Sequence, residues 1–218
     1  MIKLLIRYQR PQSVGEEIAN SISHGLGVLG AMVTTPVLIS AAIQRGDTTG
    51  TIGASIFATT TFLLYLTSTI YHVLPRSRAK QIFQILDHVA IFLMIAGTYT
   101  PFTLGILRGT LGWIMLGLVW SLALLGIMLK CIYGVQNSWF STLVYVIMGW
   151  LVIIVIKPLW FHMSTWGLFW LLAGGIAYTG GVFFFATDQR FHYNHFIWHL
   201  FVMVGTSCHF IAVLWYSA

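Results

Sequence analysis

The sequence predicts an all-α membrane protein: a bundle of seven transmembrane helices with its N-terminus in the cytoplasm and its C-terminus outside. Three observations predict it. The chain is 58% hydrophobic and only 7% charged, where an ordinary soluble domain is about 25% charged. Seven continuous apolar runs follow one another, each close to the roughly 20 residues that cross a 30 Å hydrocarbon core. The basic residues gather on alternate connections between those runs. Seven helices use about 140 residues, so a chain of 218 has room for short loops and none for a second, soluble domain. Residues 1–218 are therefore expected to form one membrane domain, with 1–19 as a short cytoplasmic segment.

The runs are taken in order. Asn20–Ile43 opens with His24 and contains Pro36. Gly50–Leu74 ends on His72, just before a basic loop, Arg76–Lys80. Gln84–Leu104 begins with Asp87 and His88. Thr110–Leu129 carries Trp113 near its start and is followed by Lys130. Trp139–Ile156 opens on a tryptophan. Trp166–Thr187 contains the pairs Gly174-Gly175 and Gly180-Gly181. Asn194–Tyr216 begins with His195 and His199 and has Trp215 near its end. The runs lack the alternation of a membrane β-barrel, so helices are indicated. Internal Gly and Pro are tolerated in membrane helices and permit close contacts. Tryptophans at the run ends suit the membrane–water interface.

Orientation comes from Lys and Arg. With the N-terminus inside, the inner segments hold eight: Lys3, Arg7, Arg10, Arg76, Arg78, Lys80, Lys130 and Arg190; the outer ones hold three, Arg45, Arg108 and Lys157. This bias also explains the net charge of +6 without nucleic acid: the charges are membrane-flanking anchors. It places the chain in an inner (cytoplasmic) membrane. The two cysteines, Cys131 and Cys208, lack the spacing of a disulfide framework or a thiolate metal site. The first 15 residues lack the apolar core of a signal peptide, so no cleavable leader is expected.

Ionisable residues inside a membrane segment are costly and ask for partners. In this topology His24, His72, Asp87, His88, His195 and His199 all lie near the cytoplasmic end, while His162 and His209 fall near the outer face. His195 and His199 are four apart, on one helix face, and two imidazoles so placed can grip one metal ion. His72 can add a third nitrogen, and Ser68 lies one turn deeper on the same face. Three histidines with an open water position form a catalytic zinc arrangement, in which Asp87 can hydrogen-bond the water. Other readings stay open on spacing alone. Interfacial histidines facing lipid headgroups have the same pattern, Asp87 can be an N-terminal residue favoured by the helix dipole, Ser68 can bond its own backbone, and Glu16 and Glu17 read as solvated.

Four blocks resemble the bacterial hemolysin III family, within the progestin and adipoQ receptor superfamily. They are Glu16-Glu17-Ile18-Ala19-Asn20-Ser21-Ile22-Ser23-His24-Gly25; Ser68-Thr69-Ile70-Tyr71-His72; Asp87-His88-Val89-Ala90-Ile91-Phe92 with Ala96-Gly97-Thr98-Tyr99-Thr100-Pro101-Phe102; and His195-Phe196-Ile197-Trp198-His199. The resemblance runs from about residue 13 to the C-terminus. It implies a seven-helix bundle with a cytoplasmic N-terminus, and a zinc ion held by His72, His195 and His199. Asp87 matches the acid that holds the zinc-bound water, and Ser68 the serine of its block. Asn20, His24 and His88 match signature positions without an assigned role. With almost no N-terminal domain, no protein hormone is expected as a partner. The function implied is a zinc-dependent hydrolase of a membrane lipid amide or ester, ceramidase-like. The alternatives are a non-enzymatic regulator of membrane fluidity and energy homeostasis, and a cytolytic or pore activity. Neither the substrate nor the oligomeric state is legible in the sequence.

Overall fold

A computed structural model describes residues 10–135 and 138–217. Lys3 and Arg7, two of the basic residues counted above, lie outside the described residues. All regular structure among the described residues is helical: α1 (Val14–Gln44), α2 (Thr48–Val73), α3 (Arg78–Leu104), α4 (Thr110–Tyr133), α5 (Ser138–Trp150), a 3₁₀ segment Leu151–Val155, α6 (Ile156–His162), α7 (Thr165–Thr187) and α8 (Asn194–Tyr216). The stretch from Trp139 to His162 acts as one span, so seven helical segments are long and apolar enough to cross a membrane.

Capping sets where several helices begin. At α1, Ser13 Oγ accepts from Glu16 N at 3.3 Å and Glu16 Oε2 accepts from Ser13 N at 2.9 Å, a reciprocal box that satisfies two orphan donors. This starts α1 at Val14, six residues before the apolar run at Asn20. Ser77 Oγ caps α3 through Lys80 N at 3.2 Å, so α3 takes in the charged turn before Gln84. Asp47 Oδ1 accepts from Thr49 N at 3.2 Å and caps α2; Ser164 Oγ accepts from Gly167 N at 3.1 Å and caps α7.

The bundle is apolar outside, and its interior combines an apolar core with buried polar groups. On α1 the exposed residues include Val14, Ile18, Ile22, Leu26, Leu29, Val33 and Val37, at helical spacing, while Glu16, Asn20, Ser23 and His24 are buried. That inversion is the signature of a helix facing lipid. Helices α1 to α4 pack in sequence, α5 bridges α4 and α3 to α7, and α8 packs on both α7 and α1, closing a ring. Small residues let α2 and α3 approach closely: a Cβ on Gly53 would lie 2.7 Å from Pro101 Cα, and one on Gly97 would collide with the Thr60 side chain.

The fifth span carries a break. Past Trp150 the helix tightens to 3₁₀ and restarts at Ile156. Pro158 sits in the first turn of α6, where its missing N–H costs nothing. Tyr99 of α3 serves the freed backbone groups: its hydroxyl donates towards Met148 O (3.0 Å) and Gly149 O (2.9 Å) and accepts from Val152 N at 2.8 Å. Broken helices survive at membrane depth only with such protein partners.

Candidate metal centre

Three helices each bring a pair of residues four apart to the same end of the bundle: Asn20 and His24 from α1, Ser68 and His72 from α2, His195 and His199 from α8. Because α2 runs opposite to α1 and α8, Asn20, His72 and His195 share the layer nearer the end, and His24, Ser68 and His199 the layer one turn deeper. All six are buried. One ligand atom from each of His72, His195 and His199 lies within 4.8 Å of the others.

Hydrogen bonds behind the rings select their tautomers. His72 Nδ1 lies 2.7 Å from Glu17 Oε2, and His195 Nδ1 3.0 Å from Asp188 Oδ2. A carboxylate accepts, so both Nδ1 atoms carry the proton. His199 Nδ1 faces Ser23 Oγ at 3.1 Å and Asn20 O at 3.3 Å. The Ser23 hydroxyl donates to Asn20 O at 2.8 Å, so its oxygen accepts from His199. In the uncharged form of each ring Nε2 then keeps its lone pair, as a metal ligand must. His72 Nε2 is buried without a hydrogen-bond partner. Three uncharged nitrogen donors, one of them orphaned in a site with three carboxylates near, fit a divalent cation.

Asp87 is buried beside this cluster, and the Ser68 hydroxyl faces it without completing a hydrogen bond. His24, Ser68, Asp87, His88, His195 and His199 line one end of a cavity of about 170 Å³ that continues between α3, α5, α7 and α8 to Phe102, Leu107, Leu159 and Leu168. His88 to Phe102 is fourteen residues of α3, about 21 Å at 1.5 Å rise per residue. Apart from its histidine end the lining is dominated by apolar side chains.

Other candidates are placed differently. His88 lines the same cavity, with its Nδ1 on Gln84 O at 2.7 Å and its ring centroid 6.3 Å from that of Phe185. Asn20 contributes its backbone carbonyl to His199, while its side-chain amide donates to Gln12 Oε1 at 2.6 Å. His24 stacks on His199 with ring centroids 3.5 Å apart. Lys130, read as a membrane-flanking anchor, is buried with its ammonium unpartnered.

Several functional residues escape sequence reasoning. Glu17 bridges His72 and Lys80 Nζ, the latter at 2.9 Å, tying α1, α2 and α3 together. Glu16, read as solvated, is 2% exposed. It holds Arg10 Nη2 at 2.7 Å and Tyr193 N at 3.0 Å on Oε1, with His192 Nδ1 at 3.3 Å from Oε2. Arg10 in turn donates to Asp188 O at 3.2 Å, and its hydrogen bond to Glu16 raises its already high pKa. This clasp fixes the loop that carries Asp188. It also holds Tyr193 in the left-handed region, φ 61°, a strained conformation at the start of the helix bearing His195. One signal was available: Glu17, Asn20 and His24 are spaced three and four apart, hence on one face of α1.

A family model described as haemolysin-III related matches residues 12–210. The chain belongs to the hemolysin III family. Within this family it is 44% identical over 205 residues to Hemolysin-3 of Bacillus cereus, covering 94% of this chain and 93% of that protein. It is likewise 44% identical over 204 residues to a Hemolysin-3 homolog of Bacillus subtilis (strain 168), covering 94% and 95%. More distantly, the human monocyte to macrophage differentiation factor is 27% identical over 210 residues, covering 91% and 83%, which fits the progestin and adipoQ receptor superfamily. No solved structure matches the chain. This family member is a multi-pass membrane protein whose His72, His195 and His199 can hold a metal ion.

Proposed function

We propose that this hemolysin III family protein is a zinc-dependent hydrolase of the bacterial inner membrane that cleaves the amide or ester bond of an acyl lipid. The whole chain forms one membrane domain, with the metal centre at its cytoplasmic end, the N-terminus inside and the C-terminus outside. One observation carries the reading: three histidines, each with Nδ1 engaged from behind, come together, and two of them, His195 and His199, line the head of a long apolar cavity that also receives Asp87 and Ser68.

Imidazoles accept several divalent metals, and zinc is the usual partner of a neutral three-histidine set. A zinc ion held there supplies Lewis acidity that polarises a scissile carbonyl and makes water a better nucleophile near neutral pH. The protein's own groups do the rest. Asp87 orients the attacking water, accepts its proton and passes that proton to the leaving nitrogen or oxygen as the acyl bond breaks. The Ser68 hydroxyl donates to the oxygen that gains charge at the carbonyl. The cavity takes the acyl chain and keeps bulk water away from the reacting bond. Glu17 and Asp188 hold the ligand rings in orientation and tautomer.

The name of the Bacillus cereus relative raises a cytolytic reading. A pore needs polar groups along its whole path; here most histidine and carboxylate side chains of the cavity gather at one end, with His209 alone at the other among the described lining residues, and the wall between is mainly apolar. The test is fatty-acid release, followed by mass spectrometry, from acyl amides and esters mixed with purified zinc-loaded protein. Wild type is expected to release fatty acid, and Asp87→Asn to retain its metal while losing about 10²–10⁴-fold in rate. Absence of release from the whole set, or unchanged turnover in Asp87→Asn, overturns the proposal.

A further inference from the structure

His24 is anomalous among the described residues. It is 2% exposed, and neither ring nitrogen has a hydrogen-bond partner. Buried polar atoms without partners are costly and mark places where something is missing. The ring is nevertheless firmly held. It lies parallel to His199, at 8° and 3.5 Å between centroids, and meets the Tyr65 ring edge-on at 5.1 Å. Gly27, one turn on, makes room for Tyr65: a Cβ there would lie 2.6 Å from the ring.

The stack excludes His24 as a fourth ligand of the ion that His199 holds. A metal lies close to the plane of each imidazole it binds, and two parallel planes this far apart share no such point. His24 instead lines the cavity at the end where Ser68 and Asp87 enter it. A neutral imidazole offers one donor and one acceptor, and here neither is paired, on a side chain that lines the cavity.

We propose that His24 is a substrate-binding residue that hydrogen-bonds a polar group next to the scissile carbonyl, and so selects acyl amides or hydroxyl-bearing acyl lipids over plain alkyl esters. This rests on the hydrolase reading for the identity of the ligand. An acyl amide that carries a hydroxyl can donate to the lone-pair nitrogen and accept from the N–H, and so can pair both. An alkyl ester brings acceptors only and leaves one nitrogen unpaired. Sites built to hydrogen-bond a substrate group discriminate strongly against analogues that lack it.

The test uses the full-length chain loaded with cobalt(II), whose visible spectrum reports the ligand set. Two probes share one acyl chain: N-hexadecanoylethanolamine, an amide with a hydroxyl, and ethyl hexadecanoate, an ester. Their affinities are measured by displacement of a fluorescent fatty acid in detergent micelles, with probe integrity checked by mass spectrometry. Wild type is expected to favour the amide. His24→Phe, which keeps the stacked ring, is expected to leave the cobalt spectrum and stoichiometry unchanged. It should weaken the amide about tenfold, the worth of one good hydrogen bond, and leave the ester within about twofold. Its melting temperature is expected to hold or rise by about 2–4 °C, because two unpaired buried atoms disappear. His24→Gln, which keeps a donor and an acceptor, is expected to recover part of the amide affinity. A shifted spectrum or lost metal in His24→Phe overturns the proposal, as does an equal effect on both probes or no preference in wild type. Failure of the hydrolase reading shows separately, as discrimination between the probes without release of fatty acid from either.

Discussion

Each of the three clustered histidines has one nitrogen assigned by the residue behind it. Glu17 and Asp188 bind Nδ1 of His72 and His195 through carboxylates, and Ser23 with Asn20 O does so for His199. Removing a carboxylate frees the ring to rotate and lowers the basicity of the ligating nitrogen. Glu17→Gln and Asp188→Asn are therefore expected to weaken metal affinity by about 10–100-fold, read by competition with a chromogenic chelator. Affinity within about threefold of wild type in both would mean that the rings need no support. The group of three histidines was legible in the sequence: His195 and His199 lie four apart at the start of a membrane helix, His72 lies at the same depth, and the family resemblance singled out the same three residues. The residues behind the ligands were not. Charged residues flanking a span usually face water, and only the folded bundle shows Glu16 buried against the 188–193 loop and Glu17 turned towards His72 and Lys80.

At the scale of elements, the seven apolar runs were visible because each had to cover a hydrocarbon thickness. Their ends were not. Helices α1 and α3 begin several residues earlier than their apolar runs, since Ser13 and Ser77 cap charged turns that hydropathy assigns to loops. The break at Leu151–Val155 was marked in the sequence only by Pro158, whose ring excludes the Ile154 carbonyl from a continuous helix; the hydroxyl that satisfies the freed groups lies on another helix and was not legible. Tyr99→Phe is expected to cost about 1–3 kcal/mol by stranding Val152 N and relaxing the Met148 and Gly149 carbonyls, seen as a lower melting temperature with metal content unchanged. An unaltered melting temperature would show that the break supports itself. The Arg10–Glu16 clasp makes a second prediction. Glu16→Gln is expected to speed amide hydrogen exchange across residues 188–193 and to weaken metal binding less than Asp188→Asn does. Exchange at the wild-type rate would remove the clasp from the account.

Across the whole molecule, metal binding joins α2 to α8, the second and last helices of the ring, so it should contribute to the stability of the entire bundle. Zinc present at a hundred times its dissociation constant stabilises by about 2.7 kcal/mol, and stripping it with chelator should lower the melting temperature accordingly. Orientation is testable with the native thiols, since Cys131 at the end of α4 is exposed and Cys208 is buried. A membrane-impermeant maleimide is expected to label Cys131 in inside-out vesicles and not in intact spheroplasts; the reverse would place the N-terminus outside. The most direct test of the metal centre is elemental analysis of the detergent-purified chain, purified without chelator, beside His72→Ala, His195→Ala, His199→Ala and Asp87→Asn. The expected result is about one zinc per chain in wild type, lost in each histidine variant and retained in Asp87→Asn. A wild-type chain without metal, or histidine variants that keep it, would contradict the assignment of these three residues.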